Sequence, residues 1–211
     1  MLKENDWSVE AAVNVFYQQT SGTGSADKGV DEAALNALFD RYKGCCLLSV
    51  MNLWINGLDC ALDETDDEIL LEGTEKICED LQLDPTDVAM LVFAFHMKCE
   101  NMCEFKRSGW LEGWKELECD TIDALRTKIP SLRAELEDTA SAKQIYQFTF
   151  NFAKPDTQKS LPLETAVAFW SLLLKDRFKH LDLWITFLQE NHGKTISKDT
   201  WNLVTFRLFL H

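Results

Sequence analysis

The chain has 211 residues, 46% of them hydrophobic and 27% charged, which is enough apolar material for one full core or a core with a small appendage. Thirty-five acidic residues against twenty-one basic ones give a formal charge of -14, which repels phosphate backbones and anionic membranes and favours a basic protein surface, so neither nucleic acid nor membrane is an expected partner. Seven cysteines, an odd number set mostly among apolar neighbours with no secretory leader before them, read as reduced thiols inside a cell.

In chain order, residues 5–19 place Trp7, Ala11, Ala12, Val15 and Phe16 at helical spacing, with Asp6 or Ser8 as a cap. The Ser/Gly-rich run 20–29 reads as a linker. A helix over 31–43 aligns Leu35, Leu38, Phe39 and Tyr42 on one face. The apolar stretch 45–58 follows; it is shorter than a membrane helix and holds Asn52 and Asn56. An acidic cluster occupies 63–72.

Beyond it the spacing predicts helices over 74–81, 85–99, 108–117, 121–127, 131–136, 140–153, 162–174, 178–190 and 198–209, separated by short turns. Pro85 and Pro162 fall where a first helical turn tolerates proline. Thr195-Ile196-Ser197 reads as a brief extended piece leading into a capped helix. The fold class is therefore all-α.

Candidate chemistry is sparse. A calcium loop begun at Asp63 puts Glu68 where glycine belongs and Thr74 where the bidentate glutamate belongs; one begun at Asp156 puts Leu161 and Val167 there. A solvated acidic loop is the better reading, with a calcium sensor as the alternative. His96, Cys99 and Cys103 fall at helical spacing for zinc, but a fourth ligand is missing and Met90, Phe93, Met97 and Met102 surround them, so core packing is preferred. No phosphate loop, nucleophile elbow or zinc-protease motif occurs, and no cysteine sits in a recognisably activated setting. The expected catalytic, metal and cofactor sets are empty. The aromatic runs Phe148-Thr-Phe-Asn-Phe152 and Phe169-Trp170 are core by default, with a remainder available to line a groove.

Five stretches in order carry a family resemblance: Asp80-Leu-Gln-Leu-Asp-Pro85, Cys103-Glu-Phe105, Ile145-Tyr-Gln-Phe-Thr-Phe-Asn-Phe-Ala-Lys154, Arg177-Phe-Lys-His-Leu-Asp-Leu-Trp184 and Ile196-Ser-Lys-Asp-Thr-Trp201. From Val30 to Leu203 the chain resembles the defective-in-cullin-neddylation family and its potentiating-neddylation domain. The resemblance implies EF-hand-like helical pairs without calcium loops, continued by further helices. It also implies a non-catalytic scaffold of the cytoplasm and nucleus, holding a modifier-charged conjugating enzyme against the winged-helix domain at the C-terminal end of a cullin.

By the same resemblance, the acetylated N-terminal methionine of the conjugating enzyme enters an apolar pocket. The matching positions are Leu71, Met90, Leu91, Phe93, Ala94, Met97, Met102, Cys103, Phe105, Phe152, Phe169 and Leu172. Acetylation removes the terminal charge, so the methionine enters without desolvating an ammonium; burying it is worth roughly 1.5–3 kcal/mol before costs. Asp199 matches the first member of an acidic patch that meets basic cullin residues, and also suits the first turn of a helix.

Three departures accompany the resemblance. Residues 44–62 read as an insertion between the Arg41-Tyr-Lys43 motif and the acidic stretch. Residues 1–20 resemble only the last helix of a ubiquitin-associated domain, and one helix cannot build that three-helix module, so a ubiquitin-like modifier has little support as a direct partner. The family's further long helix and final acidic segment have no counterpart after Val204, which makes residues 30–211 a C-terminally truncated version of the domain by this reading. Such a chain is expected to be less stable than one carrying those helices.

Overall fold

The computed structural model describes residues 30–43, 67–155, 157–191 and 195–209. The expected helix over 5–19, the linker and the insertion 44–62 lie outside the described residues. The order of elements is α1 (Glu32–Lys43), β1 (Glu68–Ile69), α2 (Leu71–Leu81), α3 (Val88–His96), β2 (Phe105–Lys106), α4 (Arg107–Glu116), α5 (Ile122–Ala134), α6 (Thr139–Ala153), α7 (Leu163–Leu174), α8 (Leu181–Asn191) and α9 (Lys198–Phe209). The expected all-α class holds, and the extended backbone among the described residues amounts to one two-stranded sheet and an isolated bridge.

The first part is two helix–loop–helix units, α1 with α2 and α3 with α4, clipped together by β1 and β2. These pair antiparallel, Glu68 opposite Lys106 and Ile69 opposite Phe105. This is the arrangement of an EF-hand pair. Arg107 donates to Asn36 at 2.9 Å and to Asp40 at 2.5 Å, takes Asp67 with two nitrogens, and lies 4.2 Å over the Phe39 ring. Of the candidate calcium loops, residues 63–66 and Asp156 lie outside the described residues, and among the described residues no group of three or more His, Cys, Asp or Glu side chains is placed to hold a metal ion.

Three of these helices end in the same way. Gln82, Lys98 and Glu118 take left-handed backbone at φ 56°, 54° and 51°. The following amides, of Leu83, Cys99 and Cys119, then reach back to the carbonyls of Cys78, Ala94 and Trp114 at 3.0–3.1 Å. This is a Schellman cap, which wants an apolar residue just after the turn. Cys99 and Cys119, 5% and 2% exposed, serve in that position. The expected helix over 85–99 therefore stops at His96, and His96, Cys99 and Cys103 do not share a helical face. His96 instead meets Glu135 at 2.9 Å and Glu116 at 3.6 Å.

Other boundaries also differ from expectation. Pro85 stands in the turn before α3, whose cap is Asp87, accepting from the Ala89 amide at 2.8 Å; Pro162 immediately precedes α7. The two stretches 121–127 and 131–136 are one helix, α5, which runs through Pro130. Proline removes a helical hydrogen bond, but Leu125, Ile129 and Leu132 continue one buried face across it while Pro130 faces solvent. Burial of that face offsets the lost bond.

α3 joins the two halves. Ala89 through Ala94 are all buried, because α3 packs against α4 and α5 on one side and α6 on another. A helix apolar on every face is an interior helix. On the α4 side the approach is very close: a Cβ at Gly109 would lie 2.2 Å from the Met97 carbonyl oxygen, and one at Gly113 2.5 Å from that of His96.

The second half closes on an aromatic stack. Trp201 of α9 lies on Tyr146 of α6 and Trp170 of α7, ring centroids 4.6 and 5.4 Å apart. The polar atoms of the stack are matched. Trp170 Nε1 donates to Tyr146 Oη at 2.8 Å, Tyr146 Oη to the Trp201 carbonyl at 3.0 Å, and Trp201 Nε1 to the Tyr146 carbonyl at 3.0 Å. The expected extended piece before α9 exists as a bridge between Leu161 and Ile196, and Ser197 Oγ caps the helix by accepting from the Thr200 amide at 3.2 Å.

Candidate functional site

A cavity of about 870 Å³ opens where α2, α3, the turn before β2, α6 and α7 converge. Each wall has a local cause. α3 contributes Met90, Leu91 and Ala94 from the face left over after α4 and α5 are packed. The turn contributes Met102 and Cys103, the latter at φ 61°, and the clip contributes Phe105. α6 places Phe150 in the core and Phe152 in the cavity wall, while α7 places Trp170 in the core and Phe169 and Leu172 in the wall.

Nine of the twelve expected pocket positions thus line one cavity: Met90, Leu91, Ala94, Met102, Cys103, Phe105, Phe152, Phe169 and Leu172. The other three do not line it. Phe93 and Met97, each 1% exposed, belong to the core; Phe93 rests on Phe105, Trp110 and Trp114. Leu71 is 56% exposed at the start of α2, three residues before Thr74, which does line the cavity.

Sequence reasoning missed the polar part of the lining: Thr74, Thr86, Asp87, Glu164, Thr165, Ser171, Lys175 and Asp176, together with Cys78, Pro85 and Ala168. The signal was available on α7, where Glu164, Ala168, Ser171 and Lys175 run along the helix beside Phe169 and Leu172. The wall contribution of α2 had no such signal, because it depends on how α2 is turned by the β clip.

The lining is unsuited to covalent or thiolate chemistry. Burial pushes the Cys78 thiol up to about 11, and burial together with Glu75 and Glu104 pushes the Cys103 thiol up as well. Both stay protonated at neutral pH and present neutral, polarizable sulfur. Asp87 is used structurally. Arg133, 2.6 Å away, holds its carboxyl below the usual range while it caps α3. An apolar cavity of this size with a few polar groups at its edge has the form of a ligand or peptide site.

Asp199 takes no part in this cavity. It is exposed in the first turn of α9, and the buried Trp201 two residues on fixes which way that turn faces.

Fold and site together define an all-helical module, built on an EF-hand-like pair, with a largely apolar cavity between its helices. Residues 124–209, from α5 to the end of α9, match the family model described as cullin binding. DCN1-like protein 3 of Xenopus tropicalis is 40% identical over 211 aligned residues, covering 95% of this chain and 63% of that protein. Human DCN1-like protein 3 is 39% identical over 146 residues, 67% of this chain and 48% of that protein; human DCN1-like protein 4 is 38% identical over 143 residues, 67% and 49%. The chain belongs to this DCN1-like, cullin-binding family. It spans about half the length of most of the curated relatives it matches.

Proposed function

We propose that the protein is a non-catalytic scaffold for cullin neddylation. Its pocket takes the acetylated N-terminal methionine of a conjugating enzyme, and the α9 surface around Asp199 meets the winged-helix domain of a cullin. The observation that carries the reading is the apolar cavity on α3, α6 and α7, closed at one side by Met102, Cys103 and Phe105. A buried methionine side chain gains roughly 1.5–3 kcal/mol there, whereas a charged terminal amine would lose its hydration with little to replace it. The cullin side of the reading rests on the family match over residues 124–209 and on the exposure of Asp199.

Calorimetry with the full chain tests the pocket: a peptide beginning N-acetyl-Met binds, and the same peptide with a free amine binds at least tenfold more weakly. Equal affinity for the two peptides disproves the pocket reading. For the second surface, Asp199→Lys lowers capture of a cullin C-terminal domain while leaving acetylated-peptide affinity unchanged.

A further inference from the structure

Four sulfur-bearing side chains line the cavity: Cys78 of α2, Met90 of α3, and Met102 and Cys103 of the turn before β2. Thiols and thioethers meet oxidants by different rules. A thiol reacts as its thiolate, and burial keeps both Cys78 and Cys103 protonated. With its thiol pushed up to about 11, Cys78 is a thiolate in roughly one molecule in ten thousand at pH 7. A thioether has no proton to lose, so access to its sulfur decides whether it reacts. Of the three methionines among the described residues, Met97 is 1% exposed, Met90 7% and Met102 48%. Met102 therefore combines a place in the cavity wall with an open path to solvent.

We propose that Met102 is an oxidation site, at which a peroxide-class oxidant converts the thioether to a sulfoxide and so weakens binding in the cavity. The inference rests on the pocket reading above. In the step, a sulfur lone pair attacks one peroxide oxygen and the O–O bond breaks. That oxygen stays on sulfur and the other leaves as water, so sulfur loses the two electrons that peroxide gains. A thiol-dependent reductase reverses the change, two thiols becoming a disulfide while the oxygen leaves as water. The sulfoxide is polar where the thioether was apolar. A peptide end seated in the cavity covers Met102, and the new oxygen then needs a hydrogen-bond donor. The carboxylates near the turn, Glu75 and Glu104, are acceptors, and Asn101 gives its amide to Glu104 at 2.9 Å. Burying an oxygen without a donor disfavours the complex. Without a ligand the oxygen stays in water, so the cost falls on binding and not on folding.

The test uses the full chain, treated with limiting hydrogen peroxide, freed of it, and then reduced with dithiothreitol, which reverses cysteine disulfides and sulfenic acids but leaves sulfoxides. Peptide mapping by mass spectrometry should place the added oxygen on Met102 ahead of Met90 and Met97. Fluorescence polarisation with a peptide beginning N-acetyl-Met should then give about five- to twentyfold weaker binding than before treatment. Methionine sulfoxide reductase should restore the original affinity. In Met102→Leu, whatever its own affinity, treated and untreated protein should bind alike. The position is about half exposed, so the fold tolerates the change. Oxidation of Met90 or Met97 before Met102 overturns the assignment, as does an equal loss of affinity in Met102→Leu. A Met102 sulfoxide that binds the peptide as tightly as the thioether overturns this inference and leaves the pocket reading intact. Failure of the untreated protein to bind the acetylated peptide overturns the pocket reading and this inference with it.

Discussion

Arg107 grips Asp67 with two guanidinium nitrogens, and the pair ties the backbone just before β1 to the start of α4. Arg107 is the largest cause holding the Asp67 carboxyl down, at about 2 against an ordinary 3.8.

The consequence is a pH dependence of definite sign. A carboxyl with a depressed folded-state pKa stabilises the fold above its unfolded value and loses that contribution as pH falls through the folded value. Asp67→Asn should therefore lower urea stability at pH 7, and the gap to wild type should close as pH falls from about 4 to 2. The Asp67 side chain is 48% exposed, so solvent screening keeps the gap below about 1 kcal/mol. A gap that widens on acidification would contradict the assignment.

Tyr146 Oη is shared between the Trp170 indole and the Trp201 carbonyl, in a site where all three residues are 0% exposed. Tyr146→Phe keeps the ring stack but strands the indole N–H. The expected loss is about 1–3 kcal/mol in chemical denaturation. Trp201→Ala removes the stack itself and should cost about 3–5 kcal/mol, with faster amide exchange in α9.

The contact of α4 with the end of α3 leaves no room for a methyl group. Gly109→Ala places a carbon 2.2 Å from the Met97 carbonyl oxygen, a backbone atom that cannot swing aside. Overpacking of this kind costs about 1–3 kcal/mol and should appear as a lowered Tm. An unchanged Tm would show that α4 can slide on α3.

Two phenylalanines of the pocket should separate binding from stability. Phe152 is half-buried and stacks on Phe148, so Phe152→Ala should weaken N-acetyl-Met peptide binding about tenfold or more while costing less stability than Phe105→Ala. Phe105 is 2% exposed and packs on both Phe93 and Trp110; its loss should lower both peptide affinity and Tm. Calorimetry on the two variants, with melting curves alongside, checks the distinction.

What the sequence by itself determined is the part governed by local periodicity. It gave the all-helical class, the approximate span of α1, α2, α4, α6, α7 and α9, and the aromatic-rich stretches that build core and pocket, because burial enforces a helical repeat on residues such as Leu35, Phe39 and Tyr42. The ordered motifs added the family. Local reading failed where a distant contact overrode it. Pro130 stays inside α5 because Ile129 and Leu132 are buried on either side of it, and α3 stops at His96 because Cys99 is needed as the apolar residue of a Schellman cap.

Only the tertiary structure decided which apolar residues face the cavity. Phe93 shares α3 with Met90, Leu91 and Ala94, and Met97 caps it, yet the tight approach of α4 at Gly109 and Gly113 draws Phe93 and Met97 into the core and leaves the other three for the pocket. The walls themselves follow the same rule. Cys78 of α2 and Phe169 of α7 are far apart in sequence and become walls of one cavity only in the folded chain.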